Sequence, residues 1–428
     1  MSQSDVFGKA YHDATKHSYL SVQLDPNYVD ASTQPSANKV YPKFYQRVKL
    51  NLNNPIHSFI WLTSAVTFEK VYNSIYYKLR VNPSAGALYP TEMYVQIRGM
   101  SEIIDGIYHL EVENNCLTLI YELIDDGLES YIIPEKRING VIFLVSSVYY
   151  RSSWKYKHRS LRYCLLDSGH HLGAVAASAY LHERNIQLIF DFDKLTLNTD
   201  LGFENKELIT GCAISGEPQE KQVRKLRLKV PFVCGTDYFE ANQLIEDSYQ
   251  ATAVQPSRQQ QLKQPNFNFE QDKFYQTIWN RRSIRRFRKE FILQEHYLYV
   301  LQLLKQPIPT ENGEEIELNS VIHRVEGMIS GLYKGVNLIK AGSFSEQTGY
   351  LCVNQALARD CAVVFFFVSE YTSYQTAIQI AGFLGQRIYL ASNYVGIQCS
   401  GIGAFYDDET QQFLETTKDV LYATAIGI

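Results

Sequence analysis

Apolar and aromatic positions alternate with polar ones at 92–100 (EMYVQIRGM) and 106–112 (GIYHLEV), the period of two that a half-buried strand imposes on its side chains. The second half of the chain repeats the event at 320–328 (SVIHRVEGM) and 331–339 (GLYKGVNLI), each read as one extended segment. Apolar runs follow at 141–150 (VIFLVSSVYY) and 362–371 (AVVFFFVSEY), with the length and the β-branched or aromatic content of a buried strand. After each run the sequence predicts a long helix with small residues on one face, at 165–185 and 377–396. Each helix gives way to a strand or loop ending in acidic residues, LIFDFD and IGAFYDD. Order, type and spacing agree with little identity, so the chain reads as two copies of one α+β unit. Two such copies in one chain are expected to pack face to face as a pseudo-dimer.

Between them, residues 241–272 are rich in Gln, Asn, Ser and Pro without sustained periodicity and read as a linker. The expected domains are therefore 1–240, including an N-terminal arm, and 273–428. The length of 428 residues agrees, since single cores stop growing at roughly 250–300 residues. With 41 basic and 45 acidic side chains mixed along the chain, no broad field gathers nucleic acid or an anionic membrane. The 7 cysteines are scattered, with no CxxC and no histidine at ligand spacing, so buried reduced thiols are expected and no metal site. His12 and His17 are read as surface or interface residues, and His170 and His171 as packing or cofactor-edge contacts. The basic run 221–230 (KQVRKLRLKV) is read as a solvated strand. No apolar leader and no run of 18 apolar residues occurs, which predicts a soluble cytoplasmic protein.

Two strings carry chemistry. RRSIRRF (281–287) puts three guanidinium groups and a hydroxyl within five residues ahead of the amphipathic stretch EHYLYVLQLLKQ. Entering a helix, such a string suits a phosphate monoester, because arginine offers forked charged donors and a helix start offers backbone N–H groups. Each contact contributes about 1.5–3 kcal/mol. A basic, solvated helix start is the other reading of the same residues. NPSAGALYPTEMYV (82–95) has small residues in succession, which let backbone lie against a flat ring; an ordinary turn into a strand is the alternative.

Together the two strings resemble the nitroreductase-like FMN oxidoreductases, in which an arginine motif holds the flavin phosphate and a Pro-Ser loop packs on the isoalloxazine. CSGIGAFYDD (399–408) resembles that family's loop near flavin N5. The family's homodimers place the flavin between subunits, and here each half keeps what the other lacks: 51–79 has nothing like RRSxRxF, and 319–342 nothing like PSAG. The resemblance thus implies two tandem nitroreductase-like domains and one FMN per chain. The implied cofactor contacts are Arg80, Pro83, Ser84, Ala85 and Gly86 from the first half. From the second they are Arg281, Arg282, Ser283, Arg285, Gly403 and Ala404.

A closer resemblance lies at 153–181 (SWKYKHRSLRYCLLDSGHHLGAVAASAYL), with YHDATKHS at 11–18. Lys155, Tyr156, Arg159, Arg162, Tyr163 and Gly169 look like the SagB-type azoline dehydrogenases and the thiazoline oxidases of cyanobactin pathways. That family oxidises thiazoline or oxazoline rings of ribosomally made peptides to azoles with FMN, and Lys155 and Tyr156 match its candidate catalytic pair. Aromatising an azoline removes a proton from one ring carbon and a hydride from its neighbour, so a base must face flavin N5. Lys155 is cationic unless burial lowers its pKa, and Tyr156 needs a nearby cation to ionise, so either is open as the base; a surface lysine beside a core aromatic is the plainer alternative. The resemblance implies an azoline-bearing peptide as substrate and dioxygen as electron acceptor, with a cyclodehydratase or a second copy of the chain as further partners. A reductase or dehydrogenase of another small molecule, and a flavin-binding scaffold for a cyclodehydratase, are the competing readings.

Overall fold

The computed structural model of the chain describes residues 3–25, 29–72, 75–133 and 136–428. Strand β1 (Arg47–Lys49) precedes a separate hairpin of β2 (Val66–Tyr72) and β3 (Ile75–Arg80). Strands β4 (Thr91–Arg98), β5 (Gly106–Glu111), β6 (Cys116–Glu122), β7 (Arg137–Ser147), β8 (Gln187–Ile189) and β9 (Leu208–Gln219) join β1 in a sheet ordered β1-β6-β5-β4-β7-β9-β8. A short pair, β10 (Arg258–Gln259) and β11 (Asn312–Gly313), follows. Strands β12 (Glu317–Ile322), β13 (Gly331–Lys334), β14 (Asn337–Ala341), β15 (Val363–Ser369), β16 (Gln398–Ile402) and β17 (Asp419–Gly427) form a second sheet ordered β14-β13-β12-β15-β17-β16. Leaving out β1, the two orders are the same, and every pairing within both sheets is antiparallel.

Periodicity and apolar runs located β4, β5, β7, β12 and β15, while β1–β3, β6, β9–β11 and β17 were not singled out, and two expectations are corrected. Residues 331–339 are not one extended segment: β13 and β14 fold back on each other through Gly335, whose φ of 61° lies where glycine alone is unstrained. The basic run 221–230 forms no strand; it is irregular, with Leu226 and Val230 buried beneath it. Strands β7 and β15 are apolar with little alternation because both faces are covered, whereas β4 keeps its alternation although every residue of β4, like every residue of β15, is buried.

Two long helices, Ser160–Leu181 and Tyr374–Tyr394, lie between the sheets and are buried along almost their whole length. They begin a few residues before the predicted starts, because the serine- and tyrosine-bearing turns ahead of them are also packed. The helices cross in direct backbone contact. A methyl group on Gly169 would fall 2.0 Å from the Gln379 carbonyl oxygen, and one on Gly382 would fall 2.2 Å from that of Leu166. Each glycine sits three residues after the carbonyl its own helix offers, so the contact is reciprocal. Beside the crossing, the Gln379 amide nitrogen donates to Ser168 Oγ (3.1 Å) and to the Thr210 carbonyl (2.7 Å).

Within 241–272, helix Gln243–Ala253 is capped by the Asn242 side chain and buries Ile245 and Tyr249. The N-terminal helix Gln3–Ala14 packs with it over the start of the second long helix, where Tyr11 and His12 meet Tyr374 edge-on. One hydrophobic cluster runs through both halves, from Leu161 and Leu165 to Phe365 and Ile378. Six cysteines are buried and Cys234 is exposed. Among the described residues no His/Cys/Asp/Glu group could hold a metal ion, and no helix is long and apolar enough to cross a membrane.

The crossing gives a direct test. Gly382→Ala should lower unfolding stability by about 1–3 kcal/mol or more, since the added methyl meets backbone rather than a movable side chain. Gly396→Ala is the contrasting control: its neighbourhood is open, so only the cost of its positive φ of 82° applies. Denaturant unfolding of the two variants against the parent checks the ranking.

Candidate active site

The chain leaves β3 at Arg80 and turns through Pro83–Gly86 before entering β4. Gly86 takes φ 65° and is followed by Ala87 and Tyr89 at φ 56° and 45°, so the turn is held in a region that residues with a Cβ rarely occupy. Asp167, on the first long helix, supplies the restraint: Ser84 Oγ donates to its carboxylate at 2.5 Å and the Ala85 N–H at 3.3 Å. Ser84 Oγ in turn accepts from the Tyr89 N–H at 2.9 Å.

The facing wall comes from the second half. Residues 281–287 follow the helix Gln271–Asn280 and run beside β16, where Ser283 bridges Cys399 and the Ile284 N–H donates to the Cys399 carbonyl at 3.2 Å. The next helix starts only at Gln294, so the arginine motif does not enter a helix and no helix N-terminus backs it. Ser283 Oγ and Tyr389 Oη are hydrogen-bonded at 2.7 Å, and the Gly401 N–H donates to Tyr389 Oη at 2.6 Å. Arg285 is exposed at the cleft and makes no ion pair among the described residues.

The cleft between these walls has a volume of about 730 Å³ including its open mouth. Pro83, Ser84, Ala85, Gly86 and Tyr156 line it from the first half; Ser283, Arg285, Gly403 and Ala404 line it from the second. Three expected arginines do not line it. Arg80 is buried with its guanidinium on the Ala37 and Thr91 carbonyls and over the Tyr89 ring. Arg282 is spent on Thr67 and on the carbonyls of Trp279 and Arg281. Arg281 is 2% exposed and ties the halves together through the Val81 and Arg80 carbonyls, while its Nη1, with the guanidinium 5.2 Å from the Tyr389 ring, has no partner. Lys155 is exposed, its ammonium 5.6 Å from the centre of the Tyr156 ring, and does not line the cleft.

Tyr156 reaches in instead. A Cβ on Gly86 would lie 2.7 Å from Tyr156 Oη, and the Tyr156 ring packs 4.4 Å from that of Tyr163. Burial, then the neighbouring Tyr163 and Asp167, raise its pKa, so the phenol stays protonated. Tyr163 and His170, the latter expected as a packing or cofactor-edge contact, also line it, and Asp167, Tyr389, Gln355 and Tyr422 line it without having been anticipated. Asp167 was the one detectable in principle, as the single acid in an otherwise apolar and small-residue helix. Burial pushes its carboxyl up to about 7 despite the bonds from Ser84 and Ala85. His170 is hydrogen-bonded to Tyr422 Oη at 2.9 Å and is pushed down to about 3 by burial, so it is a neutral packing group.

The loop carrying Gly403 and Ala404 is pinned from below. Arg159 and Tyr163 donate to the Gly403 carbonyl, and Arg159 and Arg162 pair with Asp407 at 2.9 and 2.7 Å. Burial opposes charge on Asp407, yet the two arginines hold its carboxyl below the usual range. His12 stands 3.7 Å from the same carboxylate and is 1% exposed. It is therefore a core residue at the contact of the N-terminal helix with the second half, not a surface one; burial, then Arg162 and Arg159, drive its pKa down.

With this geometry in place, comparison with known proteins is informative about fold. Two proteins similar to this chain are named "putative nitroreductase". The crystal structure of the one from Anabaena variabilis overlays with a TM-score of 0.81 at 23% identity, covering 98% of this chain and 99% of that one. The one from Methanocaldococcus jannaschii is 30% identical over 112 residues, 25% of this chain and 53% of that protein. The chain thus spans about half the length of that curated relative. No protein-family model matches. The chain has a mixed α and β, nitroreductase-like fold.

Asp167 generates a pH test. Its folded pKa of about 7 lies above the unfolded value of 3.8. Below pH 4 both states hold the proton and burial is not penalised; between pH 4 and 7 only the unfolded state releases it, so stability falls as pH rises. Asp167→Asn should remove that part of the slope, which reaches about 1.4 kcal/mol per pH unit at most. Unfolding midpoints of both proteins at several pH values check it; parallel slopes would show that Asp167 ionises freely in the folded chain.

Proposed function

We propose that the composite cleft holds FMN and that the chain is a nitroreductase-like FMN oxidoreductase which dehydrogenates azoline rings of a ribosomally made peptide to azoles. The observation that carries this reading is the convergence of the Pro83–Gly86 turn and the Ser283/Arg285 segment, 200 residues apart in sequence, on one cavity. The donors present fit the group: among the described residues Arg285 has no anionic partner and Arg281 keeps a buried N–H unpaired at the back of Tyr389, while Ser283 offers a hydroxyl. Ser283 and Arg285 would hold the phosphate, and the backbone of Ser84–Gly86 would lie against the flavin ring. Bound FMN supplies a two-electron acceptor, with dioxygen taking the electrons onward.

The chain's own residues handle the proton. Tyr156 Oη stands beside Gly86, with Lys155 as the cation next to its ring. A shift of the exposed Lys155 toward the phenol would help Tyr156 ionise and take the azoline ring proton. The azoline substrate rests on the resemblance at 153–163, whose Tyr156 and Tyr163 line the cleft and whose Arg159 and Arg162 hold its floor through Asp407. The repeated strand order and the reciprocal helix crossing support reading the chain as two fused copies of one unit, with 241–272 joining them. The names of the two relatives favour a second reading, a reductase acting on another small molecule in the same cleft. A cyclodehydratase and a second copy of the chain stay the proposed partners.

The spectrum of the purified protein, with released flavin identified and counted, tests the first step. One FMN per chain is expected, with Ser283→Ala and Arg285→Ala retaining less; no flavin after reconstitution would sink the reading. Tyr156→Phe should keep its flavin and lose about 10²-fold or more in azoline oxidation. Rapid bleaching by NADH or NADPH, with no turnover of azoline peptides, would instead favour the reductase.

A further inference from the structure

A second and larger cleft opens on the other side of the helix crossing, with a volume of about 1260 Å³ including its mouth. Its position is related to the first. His170, one residue past Gly169, lines the first cleft, and Phe383, one residue past Gly382, lines the second. Tyr389, seven past Gly382, lines the first, and Ala176, seven past Gly169, lines the second. The two clefts thus share these two equivalent helix positions, but their chemistry differs.

The second cleft has no serine and no Pro-Ser turn. Gly173, Ala176 and Ala177 leave room on one helix, and the walls are aromatic: Tyr180, Phe267, Phe269, Phe274 and Phe383. Phe269 and Phe274 stack at 4.2 Å, 11° from parallel. Into this setting points Arg387, 8% exposed, between the rings of Phe267 and Phe383 at 5.3 and 5.0 Å. Its guanidinium leans on the carbonyls of Gln306 and Pro307, which satisfy one N–H on each terminal nitrogen. Neither Arg387 nor Arg184, the other arginine of the lining, forms an ion pair among the described residues, and the acid of the lining, Glu183, is exposed. Burial without a carboxylate pushes Arg387 down to about 9. A buried cation with spare donors, walled by phenyl rings, complements an anion attached to a flat apolar body.

We propose that the second cleft is a binding site for a planar aromatic carboxylate, its acid group on Arg387 and its rings against the phenylalanine walls. The site is independent of what the first cleft binds. The test is calorimetric titration of the flavin-loaded protein with 2-naphthoate, and with 2-naphthamide as the uncharged analogue. Naphthoate should bind at one equivalent and more tightly than the amide. Arg387→Met should weaken naphthoate by about tenfold or more while changing the amide by less than about threefold. Ala177→Phe narrows the cleft while leaving the Arg387 side chain in the sequence and should abolish binding of both, which keeps the proposal testable should the Arg387 variant not fold. Absence of naphthoate binding, equal affinity for acid and amide, binding unaffected by Ala177→Phe, or a second FMN bound in this cleft would each overturn the proposal. Flavin content is read on the same samples and reports separately on the first cleft.

Discussion

The geometry of both clefts hangs on the place where two buried helices touch backbone to backbone. Helix pairs with ordinary side chains at their contact sit about 8–10 Å apart. Gly169 and Gly382 let this pair come closer, each facing a carbonyl oxygen with no Cβ between. The close approach brings Asp167 and His170 on one helix within a single cavity with Tyr389 on the other. A helix displaced by a methyl group would separate the Pro83–Gly86 turn, which Asp167 holds, from Ser283, which Tyr389 holds. The glycines are thus a packing feature with a consequence for the site, although neither lines it.

Two buried carboxylates on either side of the cleft show how burial alone does not decide a group's charge. Asp407 is as buried as Asp167, but it has Arg159 and Arg162 at hydrogen-bond distance and stays ionised. Asp167 has a hydroxyl and one N–H bonded to it, with Arg80 acting at a distance, which do not offset its desolvation, so its carboxyl is pushed up to about 7. Asp407 therefore works as a fixed anchor beneath the Gly403 loop. Asp167 is a restraint whose strength varies with its own protonation, and it grips a turn that already carries φ 65°, 56° and 45° at three of its residues.

Much of the architecture was legible because it follows from local pattern. The strands at 92–98, 141–147 and 363–369 and both long helices are set by periodicity and apolar runs, which the tertiary structure then buries. What failed was also local in origin: the fold-back at Gly335 is a two-residue turn inside an apolar stretch, too short to interrupt its pattern. For the site, small residues at Pro83–Gly86 and the pair Ser283/Arg285 could be picked out because their residue types suit the chemistry. Arg80, Arg281 and Arg282 could not be sorted from Arg285 by sequence, since a guanidinium serves a backbone carbonyl as readily as an anion. Asp167 was missed because its role depends on a partner 83 residues away, a distance over which periodicity carries no information.

On the proposed reading of the chain as two fused copies of one unit, the two sides of the helix pair were free to become different clefts. A dimer of identical subunits must build both sites alike, because each side chain appears twice in equivalent surroundings. In a single chain that constraint is gone. His170 can face one cavity while Phe383, at the matching step of the other helix, faces the second; Tyr389 can bond Ser283 while Ala176 leaves space. The first cleft has gathered hydroxyls, a strained turn and a free arginine at its mouth, and the second has gathered phenyl rings around a buried one. Opposite demands of this kind, polar donors for one and an apolar enclosure for the other, could not both be met by one side chain used twice.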